Sequence, residues 1–147
     1  MVTITRASAN DRAEIIETWE KSVLASHHFL NPSAVAYYKT QMPRYLDAVT
    51  VYLVSNRNGN VDAFIGLAED KIEMLFVHPA LFGTGLGKRL LHFALTTCGA
   101  RYVDVNEENV RAVDFYLSNG FAVMKRSELD SAGKPHPILH LQLGDAG

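Results

Sequence analysis

Met74-Leu75-Phe76-Val77-His78-Pro79, followed by Phe82-Gly83-Thr84-Gly85-Leu86-Gly87-Lys88-Arg89-Leu90-Leu91, sets a glycine-rich loop between an apolar run and a helical one. Ile72 to Val77 is nearly continuous in apolar residues, the pattern of a central strand buried on both faces. Gly83, Gly85 and Gly87 let the backbone approach a ligand closely, and the amides of a helix start face an anion. The spacing decides which phosphate site this is. A Walker A loop needs a glycine where Phe82 stands, and Ser or Thr where Arg89 follows Lys88. The dinucleotide fingerprint G-x-G-x-x-G needs its third glycine one residue later than Gly87. Neither motif is met, which argues against a nucleotide-binding domain.

Working toward the N-terminus, Glu69-Asp70 turns the chain from a preceding strand, Val61 to Leu67, and Asn58-Gly59 turns it from another, Val51 to Val54. Two helical segments come earlier. Ser8 or Asn10 caps the first, which carries Ile15, Ile16, Trp19, Val23 and Leu24 at helical spacing. Asn31-Pro32 opens the second, and Pro43 is expected to end or bend it. Val2 to Arg6 alternates as a short strand. Toward the C-terminus, the helix after the loop runs to about Cys98 and the strand Tyr102 to Asn106 follows. Asn109 caps a helix with Val113, Tyr116 and Leu117 on one face and Gly120 as its stop. Phe121 to Glu128 and Ile138 to Leu143 are the last two strands. The order β-α-α-β-β-β-α-β-α-β-β predicts an α/β (α+β) fold, a central mixed, mostly antiparallel sheet flanked by helices. Its antiparallel meander excludes a purely parallel winding.

A chain of 147 residues fits one domain, expected to span residues 1–147, and it can bury a core without a disulfide or metal staple. A formal charge of −2 excludes a generally basic nucleic-acid surface, so no nucleic-acid partner is expected. Cys98 is the only cysteine, which leaves no disulfide framework and no thiolate zinc cluster. Met1 to Arg6 has no basic n-region or apolar h-region, and no apolar run approaches the roughly 18 residues of a membrane span. A cytoplasmic protein without a membrane partner is the expectation. His136 and His140 on an extended strand would stand about 13 Å apart, too far to share an ion. There is no H-E-x-x-H and no recognisable Ser-His-Asp pattern, so no metal is expected.

The strand and glycine loop resemble the coenzyme-A loop of the GNAT superfamily of N-acetyltransferases. Asn106-Glu107-Glu108-Asn109 through Ala112, Phe115-Tyr116 and Gly120-Phe121 resembles the second hallmark of that family, in the family's order and at its usual separation. The element order is similar over nearly the whole chain. Ser26-His27-His28-Phe29-Leu30 and the ending Asp130 to Leu141 resemble a group of small bacterial acetyltransferases. The resemblance implies the GNAT fold and an acetyl-CoA cosubstrate. It also implies direct acetyl transfer to a primary amine, on a small molecule or on a protein lysine or α-amine, by a monomer or homodimer. It places Leu75, Phe76 and Val77 along the coenzyme, with Gly83, Thr84, Gly85, Leu86, Gly87, Lys88 and Arg89 around its pyrophosphate. Asn106, Asn109 and Tyr116 are its further contacts. Phe82 stands where the family usually carries Arg or Gln, so the backbone donors and Lys88 or Arg89 are left to hold the phosphates.

Acetyl transfer from a thioester needs an amine that loses its proton, donors for an oxyanion and a proton for the departing thiolate. Tyr116 matches the family's usual acid. A phenol near 10 stays protonated at pH 7, and passing its proton to a thiolate near 8.5 is uphill by roughly 2 kcal/mol. Glu73 is the candidate base. Strict alternation sets it with Leu75 and Val77, opposite Ile72, Met74 and Phe76, and apolar surroundings raise a carboxylate's affinity for a proton. His27 or His28, between the first two helices, is the other candidate base. The alternative to an enzyme is a non-catalytic acyl-CoA-binding sensor or interaction module; it would have no need of a proton donor at Tyr116.

Overall fold

Ser8 opens the first helical segment: its backbone N–H donates to Asp11 Oδ2 at 2.8 Å, closing a capping box over the short 3-10 turn Ala9–Asp11. The turn leads into helix α1, Arg12–Ser26, in the computed structural model, which describes residues 2–26 and 31–144. The described chain divides into two compact units, Met1–Ala100 and Arg101–Gly147.

In the first unit α1 buries Ile15, Thr18, Trp19, Ser22 and Val23, positions that return to one face every three or four residues. Leu24, expected on that face, is 58% exposed, because the helical turn carries it about 100° past Val23. Helix α2, Pro32–Asp47, starts where Asn31 Oδ1 accepts the Ala34 amide at 2.8 Å. It does not end at Pro43. The helix continues for another turn, because burying Met42 and Leu46 on either side offsets the hydrogen bond that Pro43 cannot donate.

Among the described residues of this unit the strands are β1 (Thr5–Arg6), β2 (Thr50–Ser55), β3 (Val61–Ala68) and β4 (Lys71–Val77). They lie in the order β1-β2-β3-β4, each pair antiparallel. Only Thr5 and Arg6 of the expected first strand pair with β2. The strand buried on both faces is β3 rather than β4. Ala63, Phe64 and Ile65 are fully enclosed, while most of β4 is only partly covered. β2 and β4 pair along the two edges of β3, and α1 and helix α3 (Leu86–Thr96) pack on it. Thr18 ties α1 to this strand, its buried hydroxyl donating to the Val61 carbonyl at 2.7 Å.

The second unit holds β5 (Tyr102–Asn106), helix α4 (Val110–Ser118), β6 (Phe121–Ser127) and β7 (Ile138–Leu143). Its strands lie in the order β5-β7-β6, again antiparallel. Val103, Val105, Tyr116, Phe121 and Leu141 are buried. Leu117, placed with Tyr116 by the sequence, is exposed, and Tyr116 alone of α4 is fully covered. Gly120 turns the chain out of α4 with a φ of 94°, a conformation costly for any residue with a Cβ. The element order is the one read from the sequence.

The α1–β3 tie yields a stability prediction. Thr18→Val keeps the shape but withdraws the donor from a buried carbonyl, and is expected to cost about 1–3 kcal/mol. Urea unfolding measures it; a loss below 0.5 kcal/mol, roughly the error of extrapolation, refutes the tie's importance.

Candidate active site

The glycine loop keeps its shape through its own short bonds. After β4 the His78 amide donates to the Asp62 carbonyl at 2.8 Å, and His78 Nδ1 accepts from the Ala80 amide at 3.1 Å. A 3-10 turn, Pro79–Leu81, follows, and the Thr84 hydroxyl donates back to the Leu81 carbonyl at 2.6 Å. Thr84 therefore braces the loop. Gly83 and Gly85 take φ of 79° and 85°, the left-handed region that glycine enters without strain. Gly85 is the N-cap of α3 and carries no side chain to cap it. The first-turn amides of Leu86, Gly87 and Lys88 consequently point out of the helix start without a carbonyl four residues back.

A Cβ built on Gly83 or Gly85 would meet nothing within 4 Å, so the space above the loop is open. This arrangement fits a pyrophosphate: outward amides, the positive end of the helix dipole, and exposed Lys88 and Arg89 beside it. Leu86 itself is buried with Leu90, Leu91 and Ala94, which anchors α3 and leaves only its amide for a ligand. Gly87 lies within the helix and does not need a left-handed φ. On β4, the Phe76 ring packs on Phe64, with centroids 5.6 Å apart, against the α1–α2 cluster. Leu75 and Val77 are partly covered.

A cavity of about 410 Å³ opens among α1, α2 and β4. Trp19, Tyr38, Met42, Tyr45 and Phe76 contribute apolar walls, and Glu73 is the charged side chain among the described lining residues. Glu73 shares this cavity with Met74 and Phe76, contrary to strict alternation. The cause is a β-bulge. Gly66 pairs with Met74 and Leu67 with Ile72, so Glu73 is an extra residue on β4 and the alternation slips by one beyond it. The sequence carried a signal in Gly66. A Cβ there would lie 3.0 Å from Val49 Cγ2 and 3.5 Å from Met74 Cβ, the close approach that a glycine inside a strand marks. The Glu73 side chain is 38% exposed and Lys71 Nζ lies 3.8 Å from its Oε1. The carboxylate thus sits at the rim of an apolar space, not buried within it. His27 and His28 lie outside the described residues.

In the second unit the Tyr116 ring meets Phe115 and Phe121 edge-on, at centroid separations of 5.1 and 5.4 Å. Burial pushes its phenol well above the ordinary tyrosine range. Both asparagines shape the connection that presents α4. Asn106 Oδ1 accepts from the Glu108 amide at 2.8 Å, and Asn109 Oδ1 accepts from the Ala112 amide at 3.2 Å as the helix cap. A ligand contact from either residue would use its carboxamide N–H groups.

Comparison with known proteins agrees with this architecture. Residues 15–137 match the family model described as the acetyltransferase (GNAT) domain. The chain is 33% identical over 141 residues to the peptidyl-lysine N-acetyltransferase YjaB of Salmonella typhimurium, covering 96% of this chain and 97% of that one. The solution structure of apo YjaB from Escherichia coli superposes with a TM-score of 0.88 at 31% identity, covering 99% of both chains. The protein yncA of Salmonella typhimurium, solved with its cofactor acetyl-CoA, shares the fold with a TM-score of 0.66 at 22% identity over 100% of this chain and 99% of that one. The loop with an uncapped helix start, the element order and these likenesses agree: the chain belongs to the GNAT family of acetyltransferases.

Proposed function

We propose that this chain, an N-acetyltransferase of the GNAT family using acetyl-CoA, acetylates the ε-amine of a lysine presented by a protein or peptide in the cytoplasm. One observation carries the choice of acceptor: the cavity of about 410 Å³ has apolar walls and the Glu73 carboxylate. A lysine matches both features, its four methylenes against Trp19, Tyr38 and Phe76 and its ammonium near Glu73. A polyamine, with several ammonium groups, would leave at least one of them against an apolar wall. The relative named as a peptidyl-lysine N-acetyltransferase supports the same choice.

The cosubstrate's pyrophosphate is assigned to the first-turn amides of Leu86, Gly87 and Lys88 above the Gly83–Gly85 turn, with Lys88 or Arg89 adding charge. Glu73 takes the ammonium proton, directly or through one water, and the freed amine attacks the thioester carbonyl. The C–N bond forms, the C–S bond breaks, and Tyr116 gives its proton to the leaving thiolate. Its phenol, raised by burial, is always loaded at neutral pH.

A lysine-containing peptide and acetyl-CoA test the reading, with acetyl-lysine followed by mass spectrometry. Tyr116→Phe is expected to lower kcat about 100-fold or more with unchanged coenzyme affinity, and Glu73→Gln to lower kcat/KM for the amine by a similar factor. Full activity in Tyr116→Phe removes the acid role; acetylation of free polyamines but of no lysine peptide overturns the acceptor.

The buried phenol has a second consequence, on stability. Its folded pKa lies above the unfolded value of about 10, so the folded state holds the proton over a range where the unfolded state has lost it. Its stabilisation is complete below pH 10 and falls by about 1.4 kcal/mol per pH unit above it. Chemical unfolding of wild type and Tyr116→Phe at pH 9, 10 and 11 is expected to show this extra loss in wild type alone. Parallel curves would mean an ordinary phenol.

A further inference from the structure

Three residues far apart in sequence meet on the sheet of the second unit. The Ser127 hydroxyl lies 2.7 Å from His140 Nε2, and His140 Nδ1 lies 2.7 Å from Asp104 Oδ1. No sequence pattern announces this, because strand register and not chain spacing brings them together. Asp104 is paired directly with His140 across β5 and β7. Ser127 reaches the same face through a β-bulge in β6. Val123 pairs with Leu141 but Lys125 pairs with His140, so Met124 is the extra residue. Without that insertion the β6 side chains sharing a face with His140 would be Met124 and Arg126.

The order of contacts fixes the chemistry. An ionised carboxylate only accepts, so Asp104 holds the imidazole proton on Nδ1 and leaves Nε2 as the acceptor for the Ser127 O–H. That is the relation among carboxylate, base and nucleophile in serine acyl transfer. The group lies at the surface: Ser127 is half-buried, and His140 and Asp104 keep 33% and 34% of their side-chain surface exposed.

We propose that Ser127, His140 and Asp104 form a second, nucleophilic site that accepts acyl groups from small activated esters and thioesters and releases them to water. Ser127 Oγ attacks the acyl carbon while His140 Nε2 takes its proton. The new C–O bond forms, the bond to the phenolate or thiolate breaks, and the imidazolium protonates the leaving group. Water, deprotonated by the same imidazole, then attacks the acyl-serine and restores the hydroxyl with release of the acid. Solvent supplies the hydrogen bonds to the oxyanion at this exposed site, so turnover is slow and covalent labelling is the sensitive readout.

The experiment treats the full chain with an alkyl fluorophosphonate, and separately with p-nitrophenyl acetate, and maps the adduct by peptide mass spectrometry. With the fluorophosphonate the serine oxygen bonds to phosphorus and fluoride leaves, which traps the adduct. Modification of Ser127 in preference to every other serine, abolished in urea, is the expected result. His140→Gln and Asp104→Asn retain the serine and are expected to label about 100-fold more slowly. An unmodified Ser127 in the folded wild type overturns the proposal. So does labelling that survives urea, or equal rates in wild type and His140→Gln.

Discussion

Gly66 pairs with Met74 and Leu67 with Ile72, so the ladder between β3 and β4 must accommodate Glu73 as one residue too many. The strand cannot hide the surplus on the β3 side, where the neighbouring side chains are already enclosed. It bends and presents Glu73 toward the space that α1 and α2 leave over Met74 and Phe76. Gly66 permits the bend, because a Cβ there would press within 3.0 Å of Val49. The apolar cavity thereby acquires a carboxylate at its rim, and the strand runs on to the glycine loop with its later residues still in register. A single inserted residue links the packing of β3 to the chemistry assigned to β4.

The order of elements was legible in the sequence because its signals are local. Asn31-Pro32 starts α2, Asn109 caps α4, and Gly120 ends it with a left-handed turn. The glycine loop was legible for the same reason, since Gly83 and Gly85 adopt the φ that only glycine takes freely. Properties that depend on a partner strand were not. The apolar run of β4 suggested burial on both faces, yet it is β3, paired with β2 and β4 and packed by α1 and α3, whose residues are enclosed. Pro43 reads as a stop or a bend until the burial of Leu46 beyond it is known.

Alternation is the reading most exposed to error, because one bulge reverses it for every residue beyond. Glu73 in the first unit and Ser127 in the second both reach their faces in this way. The two bulges differ in what marks them. Gly66 stands opposite the first, whereas Val123, Met124 and Lys125 carry no glycine and nothing else that separates the second from a regular strand. A reading of β6 by period two therefore sets Ser127 away from His140, and the pair emerges only from the register with β7.

The buried phenol of Tyr116 bears on the acid role in two opposing ways. Burial makes the phenol a weaker acid than its ordinary value implies, which by itself enlarges the uphill step to a thiolate beyond roughly 2 kcal/mol. In the step proposed, the sulfur would share those surroundings. A thiolate held away from water would be disfavoured as a charge for the same reason and would bind a proton more tightly. Only the difference between the two groups enters the barrier, and desolvation shared by both would offset within that difference. In the proposed step the proton then moves as charge develops on sulfur, with no free thiolate preceding it. An exposed tyrosine would be the stronger acid taken alone, but it would serve a thiolate stabilised by water, with less demand for its proton.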